Sequence, residues 1–246
     1  AVTPFIAPDA RVVSKAIDEI AKEFPAMQNE FKKQKQVYLA TGVVLDTYQM
    51  FGKTEITSLS DLEGSKVAGA GMNLRYLEGI KDAAGVRGGL TNFYNMLQTG
   101  LVEYAILWPE AAKTFKIAEV APYMLKVDLG AVNSKTITVN ESYWKKLPDE
   151  VKDALKAVAV EYRDHVAGIA MDRAQASREA YVAAGGKIIE VSAEERAAWA
   201  AAMPNIAAEW AANLDKKGEA GTEMLNAYIG KLKEAGHTGL RDWSIK

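Results

Sequence analysis

The stretch that decides the fold spans residues 147–186 and reads LPDEVKDALKAVAVEYRDHVAGIAMDRAQASREAYVAAGG. Pro148 suits the first turn of a helix, Asp149-Glu150 favour its positive end, and Gly185-Gly186 supply a left-handed stop. Frequent alanine keeps helix propensity high in between. The pattern predicts one helix over Asp149–Ala184, roughly 36 residues and about 54 Å long. A helix of this length outspans one small lobe and is expected to bridge two.

Larger apolar residues recur near helical spacing along this helix, as expected of a helix with an apolar face. They are Val151, Leu155, Val158, Tyr162, Val166, Ile169, Met171, Tyr181 and Val182.

Elsewhere, strands and helices alternate in the middle of the chain and helices follow one another at its end, which predicts an α/β protein. Apolar runs predict strands at residues 37–44, 66–68, 102–107, 123–132, 135–140 and 187–191. A turn at Gly69-Ala70-Gly71 and a helix over Met72–Ala84 are expected after the second of these strands.

Composition excludes several classes of function. Thirty basic residues face 32 acidic ones without a basic cluster, so the electrostatic signature of a nucleic-acid-binding protein is missing. No apolar run reaches the roughly 18 residues of a membrane span. The chain has no cysteine, and its histidines, His165 and His237, lack partners at ligand spacing. We therefore expect no metal, no cofactor and no catalytic triad.

Two other classes compete with a binding protein. The partial GxGxxG pattern at Gly69–Leu74 follows a strand and precedes a helix, which is the context of an α/β enzyme that holds a nucleotide phosphate. Its third glycine is missing, so a tight glycine turn is the simpler interpretation. The alanine-rich segment Arg196–Leu232 could instead form a helical interaction module that dimerises.

Four motifs then point to a family. They are SDLEGSKV at residues 60–67, YNMLQTGLVE at 94–103, KIAEVAPY at 116–123 and VNESYWKKLP at 139–148. In this order they resemble the solute-binding proteins of TRAP transporters, the DctP-like family. The resemblance implies a two-lobed periplasmic protein without catalytic activity. Its cleft would close over an organic acid, which it would deliver to membrane permease subunits.

The resemblance also implies a division of the chain. Residues 1–45 would form part of lobe I, 46–133 lobe II, 134–148 the return strand of lobe I, 149–184 the lobe-spanning helix, and 185–246 a lobe II strand and the C-terminal helices. These last helices could also mediate a homodimer. Family members begin with a strand-helix-strand segment, which we expect this chain to lack.

Two departures from the family pattern bear on the ligand. Ala68 stands where the family has an arginine that pairs with the ligand carboxylate, and Tyr48 stands at the position of a second arginine. A less cationic, more apolar cleft favours an aromatic or otherwise apolar monocarboxylate, or even a neutral ligand, over a dicarboxylate. Arg75 or Lys53, together with backbone amides, would then hold the acidic group.

Aromatic residues with polar tips near predicted strand ends could line this cleft or could pack in the core. The complete set of expected ligand contacts is Tyr48, Met72, Asn73, Arg75, Leu90, Thr91, Tyr94, Leu107 and Trp108.

Overall fold

A computed structural model describes residues 3–56, 58–132 and 134–246. Residues 1, 2, 57 and 133, which belong to the segments assigned to lobes I and II, lie outside the described residues. The helices are α1 (Ala10–Glu23), α2 (Pro25–Lys33), α3 (Leu90–Gln98), α4 (Pro109–Thr114), α5 (Glu141–Trp144), α6 (Asp149–Ala183), α7 (Ala193–Ala202), α8 (Ile206–Asp215) and α9 (Gly221–Glu234). The strands are β1 (Gln36–Val44), β2 (Gln49–Gly52), β3 (Lys66–Gly69), β4 (Ala84–Arg87), β5 (Tyr104–Leu107), β6 (Tyr123–Lys126), β7 (Ser134–Asn140) and β8 (Lys187–Glu190).

Within those ranges the strands form two separate sheets. The smaller sheet pairs β1 with β7 antiparallel, with Gln36 opposite Asn140 and Val44 opposite Ser134. The larger sheet has the order β4-β3-β5-β2-β6-β8, in which β2 runs antiparallel to both of its neighbours and the other pairs are parallel. The chain therefore passes between the sheets three times: through two short segments, one after β1 and one before β7, and then along α6. The two short segments are called the crossings. The mixed α/β class expected from the sequence is confirmed.

The long helix α6 bridges the two sheets, as its length predicted. Near its start Ala159 packs on Leu39 and Ala40 of β1. Near its end the Tyr181 ring lies 5.4 Å from the ring of Phe51 in β2. The helix has 35 residues, so it measures about 52 Å at 1.5 Å per residue.

The glycine stop after α6 is also confirmed. Gly185 has a φ of +91°, a left-handed conformation that costs glycine little. A Cβ atom on Gly186 would lie 2.3 Å from the Tyr181 ring. The two glycines therefore serve different purposes, because one turns the chain and the other makes room for an aromatic ring.

The buried face of α6 differs from the one suggested by its large apolar residues. Val151, Val158, Tyr162 and Val182 are all exposed. The buried residues are mostly small: Ala159, Arg163, Ala167, Ala170, Ala174, Ser177 and Tyr181. Small side chains let the helix axis approach β1, α1 and α4 closely. Alanine therefore occupies most of the buried positions, where a larger side chain would hold the helix away.

The segment after β3 corrects a second expectation. The helix predicted over Met72–Ala84 is a 3₁₀ helix over Gly71–Gly79, followed by strand β4. β4 pairs in parallel with β3, with Ala84 opposite Lys66. The predicted strand at 123–132 is likewise shorter, since β6 ends at Lys126 and the rest crosses toward the smaller sheet. β4, with the sequence AGVR, has no apolar run of its own and is a strand because it pairs with β3.

The C-terminal helices cover the larger sheet. Trp199 of α7 is buried and donates its indole N–H to the Tyr76 carbonyl at 2.8 Å. Trp243, beyond α9, is also buried and donates to the Pro4 carbonyl at 2.9 Å. Across the described ranges, no helix has both the length and the apolar composition needed to cross a bilayer.

Candidate functional site

A cleft of about 560 Å³ lies beside the two crossings between the sheets. Its walls come from α1 and α2, from both crossings, from the 3₁₀ helix after β3, and from α8. The described lining residues are Ile17, Met27, Tyr48, Ala70, Met72, Asn73, Tyr76, Val132, Ser134 and Trp210. Segments from the first 134 residues therefore meet α8 at this cleft.

The two crossings are bonded to each other at the edge of the cleft. The Tyr48 N–H donates to the Gly130 carbonyl at 3.2 Å, and the Leu129 N–H donates to the Tyr48 carbonyl at 3.0 Å. The Gly130 N–H donates to the Thr47 hydroxyl at 2.8 Å, and Gly130 has a φ of +103° that favours glycine. These bonds hold the Tyr48 backbone in place.

The turn after β3 fixes Asn73. The Ala70 N–H donates to Asn73 Oδ1 at 2.8 Å, and Asn73 is 7% exposed. A Cβ on Gly69 would lie 2.9 Å from that same oxygen, so glycine is needed for this close approach. Among the described residues Asn73 Nδ2 has no hydrogen-bond partner, so its N–H groups remain available as donors.

The cleft has no ionisable side chain other than tyrosine among its described lining residues. Burial, followed by the nearby Tyr48 and Tyr228, raises the pKa of the Tyr76 hydroxyl above its ordinary value, so this group stays protonated. Donors are available from the Asn73 amide and the Ser134 hydroxyl. Within the described parts of the chain, no cluster of three or more His, Asp or Glu residues could hold a metal ion. The lining can therefore offer a ligand hydrogen bonds and apolar contact.

Three of the predicted contacts, Tyr48, Met72 and Asn73, line the cleft together. Trp108 lies behind them, with its ring 5.4 Å from the Tyr48 ring. Leu107 is fully buried and belongs to the apolar cluster that includes Phe51.

The predicted contacts on α3 lie away from this cleft. Leu90 packs against the same cluster as Leu107, and Thr91 is exposed. The Tyr94 hydroxyl donates to Glu119 Oε2 at 2.9 Å. Their roles, like those of the other predicted contacts, stay predictions.

The two cations proposed for the acidic group do not line the cleft. Arg75 donates to Glu78 at 2.7 Å and to Glu209 at 2.6 Å, and these bonds raise its pKa above the ordinary value. Lys53 follows the far end of β2, about 17 Å from Tyr48 at roughly 3.3 Å per residue. Ala68, at the position of the family arginine, is completely buried in β3.

Sequence reasoning missed part of the cleft wall. Tyr76 follows Asn73 by three residues, which is one turn of a 3₁₀ helix, and this spacing is a signal that could have identified it. No comparable spacing pointed to the other lining residues, because they lie in helices and crossings outside the recognised motifs. These residues are Ile17, Met27, Val132, Ser134 and Trp210.

The family model for bacterial extracellular solute-binding protein, family 7, matches residues 1–213. Over 107 residues the chain is 34% identical to the C4-dicarboxylate-binding periplasmic protein DctP of Rhodobacter capsulatus. The match covers 43% of this chain and 32% of the relative, so it spans about a third of the relative's length.

Solved structures share the fold. A TRAP periplasmic solute-binding protein from Desulfovibrio salexigens superposes with a TM-score of 0.82 at 21% identity, over 94% of this chain and 70% of the other. A TRAP solute-binding protein from Rhodoferax ferrireducens, in complex with copurified benzoate, gives 0.80 at 19% identity, over 96% and 74%. Further structures of this fold hold orotic acid, D-glucuronate or L-malate. At these identities the likeness establishes the fold, while the bound acids differ widely among the relatives.

Proposed function

The chain belongs to family 7 of the bacterial extracellular solute-binding proteins, and from this premise we propose that it is a periplasmic receptor for a small organic acid. The acid would be passed to the membrane permease subunits of a TRAP-type transporter. The observation that carries the proposal is the cleft at the crossings between two sheets bridged by α6. Closing the lobes around a ligand at such a place adds contacts from both sides, which favours the closed form.

Membership of this family argues against the alternative of an α/β enzyme that holds a nucleotide phosphate. The turn at Gly69-Ala70-Gly71 also has little to offer a phosphate, because the Ala70 N–H already donates to Asn73. A homodimer through the C-terminal helices stays a prediction.

For the ligand we propose an aromatic or otherwise apolar monocarboxylate. The described lining has no arginine or lysine to pair with a second carboxylate, and burying an unpaired charge is costly. One carboxylate could accept hydrogen bonds from Asn73 Nδ2 and the Ser134 hydroxyl, while Met72, Trp210 and Tyr48 surround an apolar body. Hydrogen bonds to a charged group contribute about 1.5–3 kcal/mol each.

The test is calorimetric titration of the chain with benzoate, 3-hydroxybenzoate, L-malate and the neutral benzamide. We expect the aromatic acids to bind and L-malate to bind at least about tenfold more weakly. Tryptophan fluorescence should change with the same midpoint, because Trp210 lines the cleft. Tighter binding of L-malate than of every aromatic acid would refute the ligand class, and no binding of any organic acid would refute the receptor.

Asn73→Asp sharpens this test. The substitution keeps the oxygen that caps Ala70 and replaces the amide donor with a negatively charged acceptor. Binding of benzoate should weaken by about tenfold or more, corresponding to at least 1.4 kcal/mol, and benzamide should be affected less. Asn95→Asp on the exposed side of α3 is the matched control and should leave both affinities unchanged. Equal effects of the two variants would exclude Asn73 as the donor.

A further inference from the structure

A second cavity adjoins the cleft on the side of the C-terminal helices. It has a volume of about 160 Å³ and reaches from α1 and α2 to α9. Four residues, Ile17, Met27, Val132 and Trp210, line both this cavity and the cleft. These shared residues lie between the two spaces, and we call them the neck.

The wall beyond the neck is apolar. Its side chains include Ile20 of α1 and Met224 and Leu225 of α9. The polar groups of its described side chains are the hydroxyls of Thr3 and Tyr228 and the indole nitrogen of Trp210. The Thr3 and Tyr228 hydroxyls are hydrogen-bonded to each other, so this second cavity, which we call the α9 pocket, offers a carboxylate fewer available donors than the cleft does.

The size of the α9 pocket matches one aromatic ring. Apolar cavities of about 150 Å³ in proteins stay dry and accept a benzene molecule. A ring or short alkyl chain that entered from the cleft would gain apolar burial there, at about 25 cal/mol per Å² removed from water.

The hydrogen-bond donors available for an acid lie on the other side of the neck. Asn73 and Ser134 line the cleft and not the α9 pocket. A ligand that uses both spaces must therefore separate its carboxylate from its apolar end by enough atoms to pass Ile17, Met27, Val132 and Trp210.

We propose that the cleft and the α9 pocket form one ligand site, and that the preferred substrates are ω-phenylalkanoic acids. The carboxylate lies in the cleft, the methylene chain passes through the neck, and the phenyl ring fills the α9 pocket. This inference rests on the proposed receptor function and adds to it the length and shape of the substrate.

The test is a length series measured by calorimetry: benzoate, phenylacetate, 3-phenylpropionate, 4-phenylbutyrate and 5-phenylvalerate. We expect affinity to rise about fourfold per methylene, the factor that corresponds to about 0.8 kcal/mol, until the ring fills the α9 pocket. Constant affinity along the series, with benzoate still bound, would overturn this inference and leave the receptor function standing. Failure of every acid to bind would overturn the receptor function itself.

Two variants locate the effect. Ala131 lines the α9 pocket but not the cleft, and its N–H donates to the Ala7 carbonyl at 3.0 Å, a bond that a substitution preserves. Ala131→Leu should fill the pocket and abolish the gain with length. Met224→Ala should enlarge it and shift the optimum to a longer acid.

The matched control is Ala198→Leu on α7, which lies outside both spaces and should reproduce the wild-type series. If Ala131→Leu does not fold, the shifted optimum of Met224→Ala carries the test. An unchanged optimum in a folded Met224→Ala protein would overturn the placement of the ring.

Discussion

The buried charge network that connects α6 to α1 and β1 gives the sharpest prediction about stability. Asp18 of α1 is 2% exposed. Its Oδ2 accepts from Arg163 at 2.6 Å and from Lys22 at 2.7 Å. Its Oδ1 accepts from the Tyr38 hydroxyl at 2.8 Å and from the Thr41 N–H at 2.9 Å. This single carboxylate therefore connects α1, β1 and α6.

Arg163→Met should destabilise the protein by about 3 kcal/mol. Breaking a buried ion pair typically costs about 3–5 kcal/mol, because the remaining charge stays desolvated. The lower end applies because Lys22 remains beside Asp18. Arg173→Met is the matched control on the same helix, since Arg173 is 67% exposed and lies 3.5 Å from Glu110. It should cost no more than about 0.5 kcal/mol.

The assay is urea unfolding followed by circular dichroism, with the double variant Asp18→Leu/Arg163→Met completing a mutant cycle. Asp18→Leu alone should cost at least as much as Arg163→Met, because it strands the Arg163 guanidinium and the Thr41 N–H. The double variant should be more stable than the sum of the single effects predicts, by about 1–3 kcal/mol. Strictly additive effects, or equal losses for Arg163→Met and Arg173→Met, would refute the reasoning.

The pH dependence of this network has a definite sign. Burial acts to raise the pKa of Asp18, but hydrogen bonds from Lys22, Thr41 and Tyr38 together lower it below the ordinary 3.8. A lowered pKa in the folded state gives stability that is present above pH 3.8 and lost as the pH falls through the folded-state value. Arg163→Met removes a cation 2.6 Å from Asp18 Oδ2, so the pKa of Asp18 should be lowered less in the variant. The variant should therefore lose less stability over this acid range than the wild type does.

Three further predictions concern other parts of the fold. Gly221→Ala should destabilise the protein by about 1–3 kcal/mol, because the added Cβ would lie 2.3 Å from a backbone oxygen of α8. A Cβ on Gly230, in the same helix, would have no neighbouring atom within 4 Å, so Gly230→Ala should stabilise the protein by about 0.5–1 kcal/mol in thermal unfolding. Burial raises the pKa of Asp46 above 3.8 despite its ion pair, so this group increasingly favours folding as the pH falls from its folded-state pKa toward 3.8. Asp46→Asn should remove that contribution from the measured slope of unfolding free energy against pH. An unchanged slope would contradict this prediction. Trp199→Phe should cost about 1–3 kcal/mol by removing the indole N–H that donates to the buried Tyr76 carbonyl, and a loss below about 0.5 kcal/mol in urea unfolding would argue against that bond.

Local signals explain what could be predicted from sequence. Pro148 precedes α6 and Gly185 follows it, so the bounds of the helix were predictable to within one residue. Such signals depend on residues within one helical turn of each other. The motif order identified the family for a related reason, since each motif, such as residues 60–67, is a short run of neighbouring residues.

Non-local pairing explains what could not be predicted. The four residues of β2 become a strand because β5 and β6, more than fifty residues later, pair with both of its edges. β4 depends on β3 in the same way. Tyr181 is buried, but the rest of the buried face of α6 consists mostly of small residues, because close packing against β1, α1 and α4 favours them. The periodicity of large apolar residues does not reveal this.

The sequence by itself determined the α/β class, the bridging helix and the family, because each is encoded by neighbouring residues or by motif order. Only the tertiary structure decided the composition of the cleft. Five separate segments contribute to its wall, and packing alone brings them together. They supply Ile17, Tyr48, Asn73, Ser134 and Trp210. The same packing pairs Arg75 with Glu78 and Glu209 instead of aiming it at a ligand. A cleft without a described lysine or arginine, continued by the apolar α9 pocket, follows from which side chains meet in space.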